Sequence, residues 1–279
     1  MFESKAIRRI AHISDVHMLE SRRRSAASYE MSLRFLSFGR SLDVEGRAQK
    51  LGRALKAAKQ SGAQHFVISG DLTEIGTTEQ YEAFAQSLDE SKIEPERITL
   101  VPGNHDAYAA PDAWKKAMKG PLRAYRGASA DEPGKVVERE GVVFLPIDVA
   151  CHQSIARSAG ELTDAAAEAV ERRIEDPALR DRAVVLVQHH PPYAHARSAW
   201  QWIDGLRGCT RLMEILRKNS HVQVLHGHLH DVVDRIVGGL GKSRVFGAPA
   251  VVDDKENVPR VRLYDVKNGW LESAGMFAH

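Results

Sequence analysis

The sequence has few cysteines and lacks any long apolar run, and both shortages restrict what the protein can be. Cys151 and Cys209 are the only cysteines among 279 residues, which excludes a disulfide framework and is typical of a reducing compartment. No apolar run reaches the length of a transmembrane helix, and the one within residues 1–13 is too short for a signal peptide. We therefore expect a soluble cytoplasmic protein without a membrane partner.

The chain also lacks an excess of charge of either sign. Its 39 Lys and Arg residues nearly balance 37 Asp and Glu residues, for a formal net charge of +2. This balance does not favour binding to nucleic acid, although it does not exclude it. A homodimer is equally compatible with the sequence. With 43% hydrophobic residues, the chain can bury one large core, so we expect residues 1–279 to form a single domain.

Apolar runs alternate with amphipathic stretches along most of the sequence. The patterns predict strands at residues 7–13, 65–69, 97–101, 183–188 and 222–225, and helices at residues 46–60, 77–88, 162–174 and 208–218. Such alternation predicts an α/β fold with parallel strands, in which ligands bind at the carboxyl ends of the strands. The tail, with short runs between residues 232 and 272, predicts consecutive antiparallel strands of a meander.

Polar side chains follow three of these strands in the first half of the chain. Asp15 and His17, at i and i+2, face the same side if the strand geometry persists, and Asp71 follows Gly70 at the next strand end. Carboxylate and imidazole together suit a borderline divalent cation such as Mn, Fe or Zn. A lone pair of this kind is more often an ordinary strand end, so the other motifs decide its meaning.

The third strand leads into Pro102-Gly103 and then into three polar residues. Asn104 offers a carbonyl oxygen suited to a metal, His105 a ring that titrates near neutrality, and Asp106 a carboxylate able to orient that ring. An ordinary turn would have a similar composition.

Histidines follow two strands in the second half of the chain. His189 and His190 are adjacent, and because neighbouring side chains of an extended chain point opposite ways, only one should face a cleft. His228 and His230 repeat the i, i+2 spacing after Gly227, which favours a metal site. His226 is expected to lie in the core or behind the ligands.

Two segments lie between these motifs without a strong period. Residues 20–45, which contain Arg22 to Arg24, form either a solvated charged run with a short packed helix or a cap whose arginines help to hold phosphate. Residues 107–134 are rich in Gly and Pro and predict a loop-rich insertion with one short helix.

In this order, the motifs D-x-H, G-D, G-N-H-D, H-H-P-P and G-H-x-H resemble the five-block signature of the calcineurin-like metallophosphoesterases. The H-H-P-P block and the later W-I-D-G-L also look like the class III cyclic-nucleotide and glycerophosphodiester phosphodiesterase branch, from whose compact members residues 20–45 depart. The resemblance implies a four-layer α/β/β/α sandwich of two mixed sheets flanked by helices. It also implies a two-metal site with one cation on Asp15, His17 and His230, the other on Asn104, His189 and His228, and Asp71 between them; His190 is the alternative to His189.

That site predicts a metal-dependent phosphoric ester hydrolase, and most directly a phosphodiesterase acting on a small-molecule phosphoester. Two divalent cations, Mn or Fe with Zn as a further option, would bind the phosphoryl oxygens and activate a bridging water as hydroxide. His105 is then the candidate residue that protonates the departing alkoxide or stabilises charge on the transition state, with Asp106 setting its tautomer. A phosphomonoesterase, a nuclease and a non-catalytic binding scaffold are the alternatives.

Overall fold

Two β-sheets with helices on their outer faces make up the chain, in a computed structural model that describes residues 6–21, 27–179, 182–237 and 243–278. The helices are α1 (Ala27–Leu36), α2 (Val44–Gln60), α3 (Thr78–Ser91), α4 (Ala113–Lys119), α5 (Asp164–Ile174), α6 (Ser198–Asp204) and α7 (Cys209–Lys218). The strands are β1 (Arg9–Ile13), β2 (His65–Ser69), β3 (Ile98–Val101), β4 (Val137–Arg139), β5 (Val142–Pro146), β6 (Gly160–Glu161), β7 (Ala183–Val187), β8 (Leu206–Arg207), β9 (Val222–His226), β10 (Val233–Ile236), β11 (Ser243–Gly247), β12 (Arg262–Lys267) and β13 (Trp270–Met276). None of the described helices combines the length and apolarity that a bilayer crossing needs.

Each large sheet has a parallel centre and antiparallel edges. The first has the order β13-β12-β1-β2-β3, with β1, β2 and β3 parallel and β12 antiparallel to β1. The second has the order β10-β11-β9-β7-β5-β4, in which β5, β7, β9 and β11 run parallel. Strands β6 and β8 pair apart from both sheets. The parallel centres bring several strand ends to one side of the molecule.

Alternation along the buried strands divides the core into three apolar layers. In β2, Phe66 and Ile68 pack under the helices of the first sheet, whereas Val67 faces the second sheet. In β7, Val184 and Leu186 pack under α5 and α7, and Val185 faces the first sheet. Because both faces of these strands are covered, their central residues are apolar, and β7 is apolar throughout. The predicted four-layer α/β/β/α sandwich is confirmed.

Helix starts follow from side-chain caps that the sequence contains. Asp43 accepts a hydrogen bond from Gly46 N at 3.0 Å, and Thr77 accepts one from Gln80 N at 3.3 Å. These oxygens satisfy backbone N–H groups that have no partner within the helix. The predicted helix at residues 77–88 therefore begins one residue later, at Thr78, and extends to Ser91.

The predicted C-terminal meander is wrong. Strands β10 and β11 form an antiparallel pair at one edge of the second sheet, whereas β12 and β13 form another at one edge of the first. Between them the chain crosses from sheet to sheet through a bridge of Ser14 with Ala250 and a short turn at Val251–Asp253. Strand spacing predicts hairpins but does not state which sheet each hairpin joins.

The two segments without a strong period, residues 107–134 and 20–45, lie in different parts of the fold. Residues 107–134 contain α4 and pack mostly in the helical layer of the first sheet through residues such as Trp114 and Tyr125; of this segment only Tyr108 lines the cleft described below. Residues 20–45 contain α1, whose Leu36 packs with Ile75 and Tyr108 beside that cleft. Arg22 to Arg24, the candidate phosphate-binding arginines, lie outside the described residues.

A buried arginine closes the C-terminal end of α7. Arg244 on β11 is fully buried, and its guanidinium donates to the carbonyl oxygens of Leu216 at 2.7 Å, Asn219 at 3.0 Å, Val222 at 3.0 Å and Val237 at 3.2 Å. The last carbonyls of a helix have no partner within it and carry partial negative charge. One side chain therefore satisfies acceptors from the helix, the following turn and two strands.

Replacing this side chain tests its contribution to stability. We expect Arg244→Leu to lower the free energy of unfolding by roughly 3 kcal/mol or more, since it leaves several buried carbonyl groups without donors. Urea unfolding followed by circular dichroism measures this change. The control is Arg217→Ala, an exposed arginine in the last turn of α7, which should change stability by less than about 0.5 kcal/mol. Equal effects of the two substitutions would refute the assignment.

Candidate metal centre

Seven predicted ligand residues lie at the ends of five parallel strands from both sheets. They are Asp15 and His17 after β1, Asp71 after β2, Asn104 after β3, His189 after β7, and His228 and His230 after β9. Backbone hydrogen bonds hold these loops together: His17 N donates to Asp71 O at 2.8 Å, and Gly227 N donates to His189 O at 3.0 Å. The sheets thus bring residues from distant parts of the sequence to one edge.

Asp71 lies between imidazoles from both sheets. Its Oδ2 is 3.3 Å from His189 Nε2, 3.8 Å from His17 Nε2 and 4.0 Å from His105 Nε2. All four side chains are nearly or fully buried. One carboxylate oxygen therefore faces potential ligand atoms on two sides.

Asp15 is the second buried carboxylate that faces imidazole nitrogens in the cluster. Its Oδ1 is 3.3 Å from His230 Nε2 and 4.0 Å from His189 Nε2. Three overlapping groups of carboxylate and imidazole atoms lie within 4.8 Å of one another, a separation that a shared cation could span: Asp15 with His17 and His230, Asp15 with Asp71 and His189, and Asp71 with His17 and His105. Since the groups share Asp15, His17 and Asp71, the cluster is continuous rather than three separate sites.

Several atoms of this cluster are buried without a hydrogen-bond partner. They include Asp15 Oδ1, Asn104 Oδ1, His189 Nε2 and both ring nitrogens of His17. A single buried polar atom without a partner costs about 1–3 kcal/mol, so such a concentration at one point requires an explanation. These are oxygen and nitrogen donors of the kind that borderline divalent cations prefer, and the set fits metal ions.

The backbone at these ligand positions is strained. Asp15, His17, Asp71, His228 and His230 have φ angles of 54°, 52°, 48°, 69° and 57°. Residues other than glycine rarely adopt this left-handed conformation, and each instance costs about 1–3 kcal/mol. Five occurrences in one cluster indicate that the fold holds these side chains in place at the expense of stability.

Contacts behind the histidines determine which ring nitrogen faces the cluster. His189 Nδ1 donates to Ser69 O at 2.7 Å, and His230 Nδ1 lies 2.8 Å from Asp253 Oδ2, so Nε2 of each ring is left for a cation. His190 is oriented differently, because its Nε2 bonds Ser158 O at 2.7 Å. His189 is thus the member of the pair that faces Asp71.

The contact behind His228 has the opposite arrangement. Its Nε2 lies 2.9 Å from Asp204 Oδ1 and 3.0 Å from Asp204 O, which leaves Nδ1 as the atom available to a cation. Sequence reasoning missed the parts that Asp204 and Asp253 play. Asp204 lies within the W-I-D-G-L motif and could have been found there, whereas Asp253 reaches His230 only because the chain crosses between the sheets near Ala250.

Opposite charges dominate the electrostatics of the cluster. Burial by itself raises the pKa of an aspartate, yet His230 and His189 lower the pKa of Asp15 to about 2, and His189 and His105 hold the pKa of Asp71 well below its ordinary value. Burial by itself lowers the pKa of a histidine, yet the facing carboxylates raise the pKa of His189 to about 9 and that of His230 to about 10. The buried carboxylates therefore require positive charge beside them.

The prediction that Asp106 orients His105 is wrong. Asp106 does not orient His105; its carboxylate accepts hydrogen bonds from Gly103 N, Leu72 N, Thr73 N and Thr73 Oγ1 and so ties the β2 and β3 loops together. The ring of His105 donates instead from Nδ1 to Glu74 O at 2.8 Å, while its Nε2 faces Asp71. Adjacency in sequence favoured Asp106, but the turn directs its side chain away from the ring.

A buried ion pair behind the cluster was also missed. Arg47 on α2 and Glu74 are almost completely buried, and the guanidinium donates both to the Glu74 carboxylate and to His17 O, the latter at 2.5 Å. Glu74 Oε2 is also 3.6 Å from His17 Nδ1, and Ser37 Oγ donates to Oε1 at 3.2 Å. The predicted helix at residues 46–60 gave Arg47 no role, and in α2 it lies four residues before Leu51 on the buried face. In the structure, the pair positions His17 and, through Glu74 O, His105.

The cluster borders a cleft of about 390 Å³. The ligand candidates that line it are His17, Asp71, Asn104, His228 and His230, together with His105. The rest of the lining comes from α1, the turn that follows it, Tyr108, residues 155–158 and α6. A molecule held at the cluster would therefore contact these segments.

Breaking the buried ion pair tests its role. We expect Arg47→Met to lower the free energy of unfolding by roughly 3 kcal/mol, since the buried Glu74 then keeps only the more distant Arg40, at 3.6 Å, and His17 O loses its donor. Urea unfolding provides the measurement. Arg34→Ala removes the exposed pair with Glu30, whose ion-pair distance is 2.8 Å, and should cost no more than about 0.5 kcal/mol. A loss below about 1 kcal/mol for Arg47→Met would contradict the assigned contribution.

Comparison with known proteins gives consistent results. Residues 8–232 match the family model described as calcineurin-like phosphoesterase. Among solved structures, a dimetal phosphatase from Danio rerio aligns with a TM-score of 0.70 at 12% identity, covering 98% of this chain and 97% of that one. The protein TT1561 of Thermus thermophilus aligns with a TM-score of 0.58 at 16% identity, covering 97% and 99% of the two chains.

At these identities, the two structures show a shared fold alone. No curated protein sequence gives a significant match. The family model, however, spans most of the chain and includes every strand end that carries a candidate ligand. The chain belongs to the calcineurin-like phosphoesterase family.

Proposed function

We propose that this protein is a phosphodiesterase that hydrolyses a small-molecule phosphate diester with the help of two divalent cations. The observation that carries the proposal is the continuous cluster in which Asp71 faces His17 on one side and His189 on the other. Family membership supports the reaction class, hydrolysis of a phosphoester. The preference for a diester depends on the cleft.

The proposed ligands divide into two sets around Asp71. One cation takes Asp15, His17 and His230, and the other takes the remaining three, which are Asn104, His189 and His228. The short distance between Asp15 and His230 supports the first set, and the unpartnered buried atoms of Asn104 and His189 support the second. Oxygen and nitrogen donors without thiolate favour Mn or Fe, with Zn as a further option.

When bound, the two cations offset the charge of the phosphoryl oxygens and lower the pKa of water. The chain contributes a proton donor on the same side. Because His105 Nδ1 donates to Glu74 O, the ring carries a proton on Nε2 only in its imidazolium form, and this nitrogen faces the cleft. In that form His105 is placed to protonate the departing alkoxide. Glu74, rather than Asp106, fixes the orientation of the ring.

The space in the cleft supports a diester rather than a monoester. Beyond the ligand residues, the cleft of about 390 Å³ is lined by side chains of α1, the turn after it, residues 155–158 and α6. A second ester substituent would make contacts there that a monoester, with one substituent, would not. Arg40 and Arg157 also line the cleft, and each already has a protein partner: Arg40 lies 3.6 Å from the Glu74 carboxylate, and Arg157 donates to Trp202 O at 2.9 Å.

A phosphomonoesterase is the second candidate. It is favoured by the structural likeness to a protein described as a dimetal phosphatase. Rates of the metal-loaded protein on bis-nitrophenyl phosphate and on nitrophenyl phosphate separate the two candidates. We expect the diester to react faster; a faster monoester would reverse the order of the candidates.

If Asp71 bridges the two cations, replacing its carboxylate should reduce the amount of bound metal. Asp71→Asn keeps the size of the side chain but removes its charge, so we expect bound Mn to fall from about two ions per chain to one or none. Elemental analysis of loaded and desalted protein measures this. Asp164→Asn changes an exposed carboxylate on α5, outside the cleft, and should leave the metal content unchanged. Full occupancy in the Asp71 variant would rule out the bridge.

Leaving-group dependence tests the role of His105. We expect His105→Ala to lower kcat on diphenyl phosphate by about 10²–10⁴-fold, the usual contribution of a general acid. On bis-nitrophenyl phosphate the loss should be much smaller, because nitrophenolate departs without a proton. Steady-state rates on the two esters, at equal metal content, provide the comparison. The acid role would be untenable if both rates fell equally.

A further inference from the structure

The cleft beside the metal cluster also has a wall of aromatic and aliphatic side chains. Phe35 on α1 and Phe38 in the following turn line it, and so do Trp200 and Ile203 on α6. These residues come from two segments that are distant in sequence. None of them contributes to the proposed metal ligation or proton transfer.

The aromatic side chains of these walls are unusually accessible. Phe35, Phe38 and Trp200 are 51%, 77% and 52% exposed. Large aromatic side chains gain most by burial, and an exposed apolar group beside a functional site indicates a binding surface. Here the three rings belong to the same cleft as the metal cluster, so a ligand held at the cluster is the molecule that would cover them.

Phe38 has a second unusual property. Its φ angle is 44°, in the left-handed region that bulky residues rarely adopt. The turn is held by hydrogen bonds from Ser37 N to Leu33 O at 2.9 Å and from Arg40 N to Ser37 O at 2.8 Å. Ser37 Oγ also donates to the buried carboxylate of Glu74. The fold thus keeps an exposed aromatic side chain at the cleft in a strained conformation.

The apolar wall is supported by buried side chains. Leu36 is buried with Ile75 and Tyr108, and Ile155, which also lines the cleft, packs against the same apolar group. Tyr108 in turn accepts a hydrogen bond from Asn104 Nδ2 at 3.1 Å. The apolar wall is therefore connected to the loop that carries a proposed ligand.

We propose that this apolar wall is a subsite for a flat aromatic ring carried by the phosphate ester. The proposal rests on the proposed function, because an ester whose phosphoryl group is bound at the metal cluster would have the rest of its atoms in the same cleft. Rings stack on Phe38 and Trp200, whereas the hydroxyl groups of a glycerol ester would find few partners on these walls. The subsite selects esters of aromatic alcohols, or of alcohols that bear an aromatic ring, over those of polyols.

Unreactive phosphonates test the subsite without catalysis. Isothermal titration calorimetry of the Mn-loaded protein gives the Kd of phenylphosphonate and of ethylphosphonate, which share the same anionic head. We expect phenylphosphonate to bind roughly three- to tenfold more tightly, the range that an aromatic pair supplies. Phe38→Ala and Trp200→Ala should each reduce this ratio towards one and leave the Kd of ethylphosphonate unchanged.

A matched control exists on α1. Met31 is 69% exposed but does not line the cleft. Met31→Ala should keep the wild-type ratio. A similar loss of the ratio in this variant would show a general surface effect and would overturn the assignment to Phe38 and Trp200.

Further outcomes separate this inference from the proposed function. Equal affinity for the two phosphonates in the wild type, or tighter binding of octylphosphonate than of phenylphosphonate, would overturn the aromatic subsite even if bis-nitrophenyl phosphate is hydrolysed. Conversely, the protein could bind phenylphosphonate more tightly than ethylphosphonate and yet hydrolyse no phosphoester. That result would refute the proposed function and leave the subsite as a binding site for aromatic phosphonates and phosphates.

Discussion

The structure depends on the burial of two ionised carboxylates where its two sheets meet. Asp15 and Asp71 are almost completely withdrawn from water, and a buried carboxylate is tolerated only with positive charge close by. The imidazoles of His189 and His230, at 3.3 Å from the nearest carboxylate oxygens, meet this need in part. Ligand loops from both sheets therefore have to converge, and the convergence explains why strained backbone accumulates at the strand ends.

A further layer of contacts orients the histidine rings of the metal cluster. Each histidine that faces the cluster is held from behind by an oxygen: Ser69 O for His189, Asp253 for His230 and Asp204 for His228. These contacts determine which nitrogen of each ring faces the cluster. Without them, the orientation of each ring could vary. Arg47, on α2 rather than at a strand end, donates to the backbone oxygen of His17, and Glu74 O accepts from the His105 ring and so selects its nitrogen.

Much of this arrangement could be predicted from the sequence, because it depends on local patterns. Uninterrupted apolar runs predicted the buried strands, and polar residues directly after them predicted the candidate ligands. Predictions failed where the outcome depends on contacts between distant segments. Asp106 was expected to orient His105 because it is its neighbour, yet the ring bonds Glu74 O. Asp253 and Arg47 carry no local sign of their roles, since only the crossing between sheets and the packing of α2 bring them to the cluster.

The hydrogen bond from Ser37 to Glu74 and the packing of Leu36 on Tyr108 join the wall of the cleft to the residues behind the metal cluster. Phe35 and Phe38 line the cleft with side chains that take no part in these two contacts. If the wall binds the ester as proposed, selectivity and chemistry are therefore separable in this scaffold. Redesign of the rim aromatic side chains, with Ser37 left intact, offers a route to new ester preferences that leaves the reactive centre untouched.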